Sequence, residues 1–209
     1  MYLIGAWVRD SCAGIGTVTY YDTDNHFAAL GHGICDSDTS VLMPLSSGEV
    51  VKASISGITK STSGKAGSLN GYFTDNKIGT LTKNTAIGIY GTTEDYYSVS
   101  ENKIEVAQAD EVKTGSATMY TTINNSEVCS YDIEITRICN KKADSNENFV
   151  IRIKDDNLIN SCGGIVQGMS GSPIVQNGKL VGAVTHVFLN RPEEGFGVLA
   201  QNMVANFEE

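Results

Sequence analysis

Residues 163–187 read GGIVQGMSGSPIVQNGKLVGAVTHV. Asn177-Gly178 lies between two apolar runs, Ile174-Val175 and residues 180–187. An Asn-Gly pair in that setting is the strongest short-range signal for a two-residue β-hairpin. Upstream, Ile165-Val166 and Ile174-Val175 flank the bend Gly168-Met169-Ser170-Gly171-Ser172-Pro173. The stretch therefore reads as strand, tight bend, strand, turn, strand. The bend carries either a nucleophile or a small residue that lets a turn close.

Strand signals continue outward on both sides. Residues 16–21 alternate, 22–25 offer a turn, and 26–30 run apolar into Gly31-His32-Gly33. Residues 50–58, 77–81, 87–90, 104–107, 117–123, 131–138 and 149–153 carry further period-two or apolar runs. Residues 61–70 read as a loop, 140–148 as a polar turn and 73–77 as a turn around Asp75. Only residues 200–207 carry a helical pattern. Many short strands, glycine turns (22 Gly against 3 Pro) and one terminal helix predict antiparallel barrels rather than βα units.

Composition narrows the function. The net charge is −9, and no basic run exceeds Lys141-Lys142. A surface that neutralises phosphates needs clustered Lys and Arg, so nucleic-acid binding is not expected. No apolar run approaches the length of a membrane-spanning helix. Residues 1–7 lack the charged start of a signal peptide, so the chain is expected to begin inside a folded domain. The five cysteines, Cys12, Cys35, Cys129, Cys139 and Cys162, leave at least one unpaired, and Cys129 with Cys139 are spaced to bridge a hairpin. No C-x-x-C pair occurs, and His26, His32 and His186 lack metal-ligand spacing, so neither a metal nor a cofactor is expected.

A serine hydroxyl becomes a nucleophile only beside a base, with an orienter for that base and N–H donors for the oxyanion. Gly168 and Ser170 have the spacing to offer two such N–H groups. His32 ends an apolar strand between two glycines, which gives a base a fixed backbone and open access. His186 is an alternative base, or a residue of the substrate pocket.

The motifs Trp7-Val8-Arg9-Asp10-Ser11, Gly14-Ile15-Gly16-Thr17, Ala29-Leu30-Gly31-His32-Gly33-Ile34, Lys83-Asn84-Thr85 with Gly88-Ile89-Tyr90-Gly91, and residues 163–187 together resemble the peptidase domain of the SpoIVB sporulation serine proteases. The resemblance implies an all-β, chymotrypsin/trypsin-like double antiparallel β-barrel, with lobes over residues 1–110 and 111–199 and a short C-terminal helix over 200–207. It implies a serine endopeptidase with His32 as base, Ser170 as nucleophile, and Val184, Thr185 and His186 along the substrate. The acid it implies is Asp155. Asp75 is the alternative that chymotrypsin-like order favours, and a Ser–His pair without a carboxylate stays open. The resemblance also implies export to the space between forespore and mother-cell membranes, cleavage of a membrane-bound regulator and self-processing. Family members carry a membrane-proximal segment and a PDZ domain. This sequence includes neither and is expected to be a trimmed piece or a minimal member.

Two other classes compete. One is a protease fold that captures peptide strands without cutting them. The other is a cysteine hydrolase using Cys35 or Cys162.

Overall fold

A computed structural model describes residues 12–93, 103–124 and 127–208. Within them the chain forms β1 (Val18–Tyr21), β2 (His26–Ala29), β3 (Glu49–Thr59), β4 (Gly67–Thr85), β5 (Gly88–Thr93), β6 (Glu105–Val106), β7 (Gly115–Thr121), β8 (Cys129–Ile138) and β9 (Phe149–Ile153). Then come α1 (Asp156–Cys162), β10 (Val166–Gln167), β11 (Pro173–Gln176), β12 (Lys179–Phe188), β13 (Arg191–Leu199) and α2 (Ala200–Glu208). Trp7-Val8-Arg9-Asp10-Ser11 and the reading of residues 1–7 lie outside the described residues.

The strands build two sheets that close differently. The later strands run β7-β8-β9-β13-β12-β11, and β11 pairs back onto β7, so six strands form a closed barrel. The earlier strands run β1-β2-β5-β4, with β3 and the short parallel β10 also on β4. Among the described residues nothing pairs β1 with β3, and this sheet is a half-barrel. The molecule is all-β with two short helices.

Side-chain alternation sets which face of each strand is buried. In β8, Tyr131, Ile133 and Ile135 point inward while Ser130 and Asp132 face water. The closed barrel fills with Met119, Ile133, Ile135, Phe149, Ile151 and Ile174. A smaller cluster lies where the lobes meet, with Ala28, Ile87 and Tyr90 of the first against Ala183, Val198 and Met203 of the second lobe and α2. The Lys83 ammonium donates to the Asn206 and Phe207 carbonyls at the end of α2 (3.1 and 3.4 Å). A cation there offsets the partial negative charge of the helix C-terminus.

The hairpin turn forms as read: Asn177 and Gly178 both take positive φ (53° and 78°), and Gln176 faces Lys179 across it. Three expectations need correction. Residues 67–70 and the supposed turn at 73–77 belong to the long β4, where an irregular register against β3 absorbs residues 74–76. The helix α1 was not expected; it starts at an Asp155 N-cap and ends at Gly163 in the left-handed region (φ 73°). Cys129 and Cys139 sit at opposite ends of β8 and do not bridge a hairpin. At about 3.3 Å per residue they are some 30 Å apart, and all five thiols are free.

Candidate active site

Both lobes contribute to one seam. The serine bend follows β10, which pairs with β4 of the open sheet, and leads into β11 of the closed barrel, which begins at Pro173. Gly168 and Gly171 hold the bend open with φ of 102° and 89°, values that L side chains avoid. At Gly171 the need is absolute: a Cβ there would lie 2.0 Å from the Thr17 carbonyl oxygen and 2.5 Å from the Leu30 nitrogen. The first lobe grips the bend through that approach. Thr17 N–H donates to the Ser170 carbonyl (2.9 Å), Thr17 Oγ1 to the Gly168 carbonyl (3.2 Å) and Thr19 Oγ1 to the Gly171 carbonyl (2.8 Å).

The bend's backbone donors divide in two. Met169, Gly171 and Ser172 donate inward, to the carbonyls of Val166, Val184 and Met169. The N–H groups of Gly168 and Ser170 have no partner among the described residues. Buried or half-buried N–H groups are nearly always satisfied, so two free ones at a strained bend are a place for an acceptor to come. The Ser170 hydroxyl is half-buried and donates to the Thr185 carbonyl (2.9 Å).

His32 follows a strained approach. Gly31 N–H closes a tight turn onto the Ala29 carbonyl (2.8 Å), with Leu30 and Gly31 both at positive φ (67° and 68°). A non-glycine residue there costs energy that the surrounding packing must outweigh, and such strain collects at functional sites. His32 Nδ1 lies 2.9 Å from the Gly33 carbonyl. A carbonyl only accepts, so Nδ1 is the donor, and the neutral ring of this tautomer has its lone pair on Nε2. The His186 ring stacks at 4.9 Å, tilted by 36°. The protein packed around it and the neighbouring His32 hold His186 down at about 4, so it is neutral at physiological pH, although the residue is exposed to solvent.

Neither candidate acid is hydrogen-bonded to His32. Asp155 Oδ1 accepts the Leu158 N–H (3.0 Å) and caps α1. A carboxylate before a helix is favoured there for its own sake, by the unsatisfied N–H groups and the helix dipole. Asp75 is exposed in β4. Among the described residues the His32 ring bonds to a backbone carbonyl and to no carboxylate. Cys35 Sγ reaches the same Gly33 carbonyl (3.9 Å). Cys162 is fully buried, and burial pushes its thiol up to about 11.

Among the described residues one trio offers clustered metal-ligand atoms, Asp22, Asp24 and His26, all within 4.8 Å. It lies on an exposed turn, where Asp22 already accepts from the Asp24 and His26 N–H groups and faces His26 Nδ1.

A family model for SpoIVB peptidase S55 matches residues 1–204. The chain belongs to this family. It is a serine peptidase by that membership. No curated protein sequence matches the chain. Among solved structures, it resembles the Rv3671c protease of M. tuberculosis in its inactive form (16% identity, TM-score 0.43, 66% of this chain and 70% of that one) and in its active form (14%, 0.42, 80% and 93%). A human heparin binding protein is also similar (12%, 0.40, 88% and 73%).

Thr17, Thr19 and Leu30 escaped the reading of the sequence. Threonines in strands are common, and nothing local marks two of them as donors to a bend some 150 residues away. The GT pair before the first strand was noticed only as part of a family motif.

Proposed function

We propose that the seam is the catalytic site of an endopeptidase, with Ser170 as nucleophile and His32 as base. The observation that carries this reading is the pair of undonated N–H groups, Gly168 and Ser170, beside a serine hydroxyl that among the described residues bonds only to a strand carbonyl. The Ser170 hydroxyl leaves the Thr185 carbonyl and gives its proton to His32 Nε2 as its oxygen attacks the peptide carbonyl. The Gly168 and Ser170 N–H groups hold the oxyanion. The imidazolium then protonates the leaving amine, and a water molecule repeats the cycle on the acyl-enzyme. Substrate lies extended along residues 184–187, with the neutral His186 ring beside it. The base works without a hydrogen-bonded carboxylate among the described residues, and Gly33 supplies the bond that fixes its tautomer.

Treating the protein with a fluorophosphonate and reading its intact mass tests this. One adduct on the wild type and none on Ser170→Ala is the expected result. An unlabelled, well-folded wild type favours the second reading, a latent fold that captures peptides, which the bond from Ser170 to Thr185 instead of His32 would suit. Alkylating the exposed Cys35 without loss of labelling disposes of a thiol mechanism; Cys162, buried and held protonated, is a poor nucleophile.

Family membership supports a finer proposal: an exported enzyme, acting between forespore and mother-cell membranes on a membrane-bound regulator and on itself. No helix among the described residues is long and apolar enough to cross a membrane. Fractionating sporulating cells tests the location, and a protein confined to the cytoplasm sinks it.

A further inference from the structure

Thr185 is shared by everything in the seam. Its carbonyl takes the Ser170 hydroxyl, and its own hydroxyl donates to the Asn146 carbonyl (2.9 Å). Asn146 also reaches the other way: its side-chain Nδ2 donates to the Ala86 carbonyl of the first lobe (3.0 Å). Ala86 and Thr185 stand on the two sides of the base. A Cβ on Gly31, just before His32, would lie 3.0 Å from Thr185 Cγ2. A Cβ on Gly33, just after it, would lie 2.4 Å from the carbonyl oxygen of Thr85, the neighbour of Ala86. Asn146 therefore joins the two walls that hold the His32 backbone.

The loop that carries Asn146 is built to hold it still. Asn148 is fully buried; its Nδ2 donates to Asn140 and to the Lys142 carbonyl, and its Oδ1 accepts from Leu199 N–H and Asn202. A satisfied buried network of this kind fixes a loop in one conformation. What it presents at its end is a half-buried residue whose side-chain amide bonds the first lobe and whose backbone carbonyl accepts from the second.

We propose that Asn146 is a positioning residue for the Ser170–His32 pair. Its two-sided tie sets the spacing of the lobes across the base, a task that a carboxylate bonded to His32 would otherwise share. The inference rests on the protease reading of the same seam. Asn146 touches neither the substrate nor the reacting atoms; it acts through Ala86 and Thr185.

The test is the rate and the final extent of fluorophosphonate labelling for wild type, Asn146→Ala, Asn146→Asp, Thr185→Val and Ser145→Ala, each with its melting temperature. Asn146→Ala and Asn146→Asp are expected to label to full stoichiometry but about tenfold or more slowly, since small misplacements of reacting groups carry costs of that order. Asn146→Asp keeps the size and loses the donor, so it separates the hydrogen bond from the volume. Thr185→Val breaks the other half of the tie, and the Asn146→Ala/Thr185→Val double variant should be no slower than the slower single. Ser145→Ala, on the same loop without a bond to either wall, should label at the wild-type rate. Wild-type rates for both Asn146 variants overturn the proposal and leave the protease reading intact. A lower final extent at an unchanged rate also overturns it, because that is what a purely structural role gives. An unlabelled wild type, or labelling that survives Ser170→Ala, removes the protease reading and this proposal together.

Discussion

The two lobes repeat one packing device in different settings. In the first, Phe27 of β2 faces Gly91 of β5, and Gly79 of β4 lies one strand further on, opposite Thr93. In the second, Phe149 of β9 faces Gly197 of β13, and Gly182 of β12 lies one strand further on, opposite Leu199. Each ring covers its two glycines so closely that a Cβ at any of the four would come within 3.1 Å of it. The settings differ. Phe149 sits in a closed barrel with a large core, whereas Phe27 belongs to a small cluster under an open sheet. The serine bend crosses from β10 on the open sheet into β11 of the closed barrel, and the histidine follows β2 of the open sheet. The closed lobe holds its shape by its own pairing, and the open lobe depends on the seam, α2 and Lys83.

That contrast is broken most directly at the two rings. Phe149→Ala should cost about 4–5 kcal/mol and Phe27→Ala about 3 kcal/mol, because a cavity costs less where the surroundings can collapse into it. Urea unfolding reads both, and an equal or reversed order would mean that the open sheet is as rigid as the barrel.

The seam comes next. Gly171→Ala puts a methyl group against the Thr17 carbonyl at a positive φ, so a loss of about 3 kcal/mol is expected from clash and strain together. Fluorophosphonate labelling should fall with it, since the same backbone carries Ser170. A variant with wild-type stability would show that the first lobe can retreat from the bend at no cost. The sign reverses at Tyr90, whose hydroxyl is buried at the lobe interface without a completed hydrogen bond, although the Thr85 side chain comes near. Tyr90→Phe removes an unsatisfied polar atom and keeps the ring, so it should be neutral or stabilise by about 1 kcal/mol. Destabilisation in a thermal melt would reveal a water or side chain bound to that oxygen.

Much of this was legible in the sequence because it is local. Alternation gave β8 and β9, Asn177-Gly178 gave the hairpin, and residues 163–187 gave the bend and its following strands. The repeat of phenylalanine over two glycines was not legible. Its members are set by cross-strand register, and unequal loops leave no fixed period between the copies. Asp155 is ambiguous in sequence for a related reason. A carboxylate fifteen residues before a serine fits a triad and a helix cap equally well as a sequence pattern, and the bond to the Leu158 N–H is a contact that the pattern does not display. The short α1 had its signals, Asp155 before it and Gly163 after it, but buries only Leu158 and Cys162, too few to show a helical period. Asn146 looked like one more polar residue in a turn. Its two partners lie 39 and 60 positions away, so no window of sequence contains them.

The smallest expected effect is the dependence on pH that the histidine pair introduces between the lobes. His186 belongs to the closed lobe and His32 to the open one, and each faces the other's ring. In the unfolded chain His186 takes a proton near its ordinary value of 6.5; in the folded protein it resists protonation until about 4. Between those values the unfolded state binds more protons than the native state. Stability contributed by the neutral ring is therefore complete above 6.5, declines as pH falls through that window, and is lost in full below about 4. Because His186 is exposed to solvent, the change should be modest. It is isolated by comparison: melting temperatures of wild type and His186→Gln at pH 7 and pH 5 should diverge, with the wild type losing more on acidification. Parallel losses would mean that the ring is solvated well enough to titrate normally in the folded protein. The stack would then hold no more than two aromatic faces in contact.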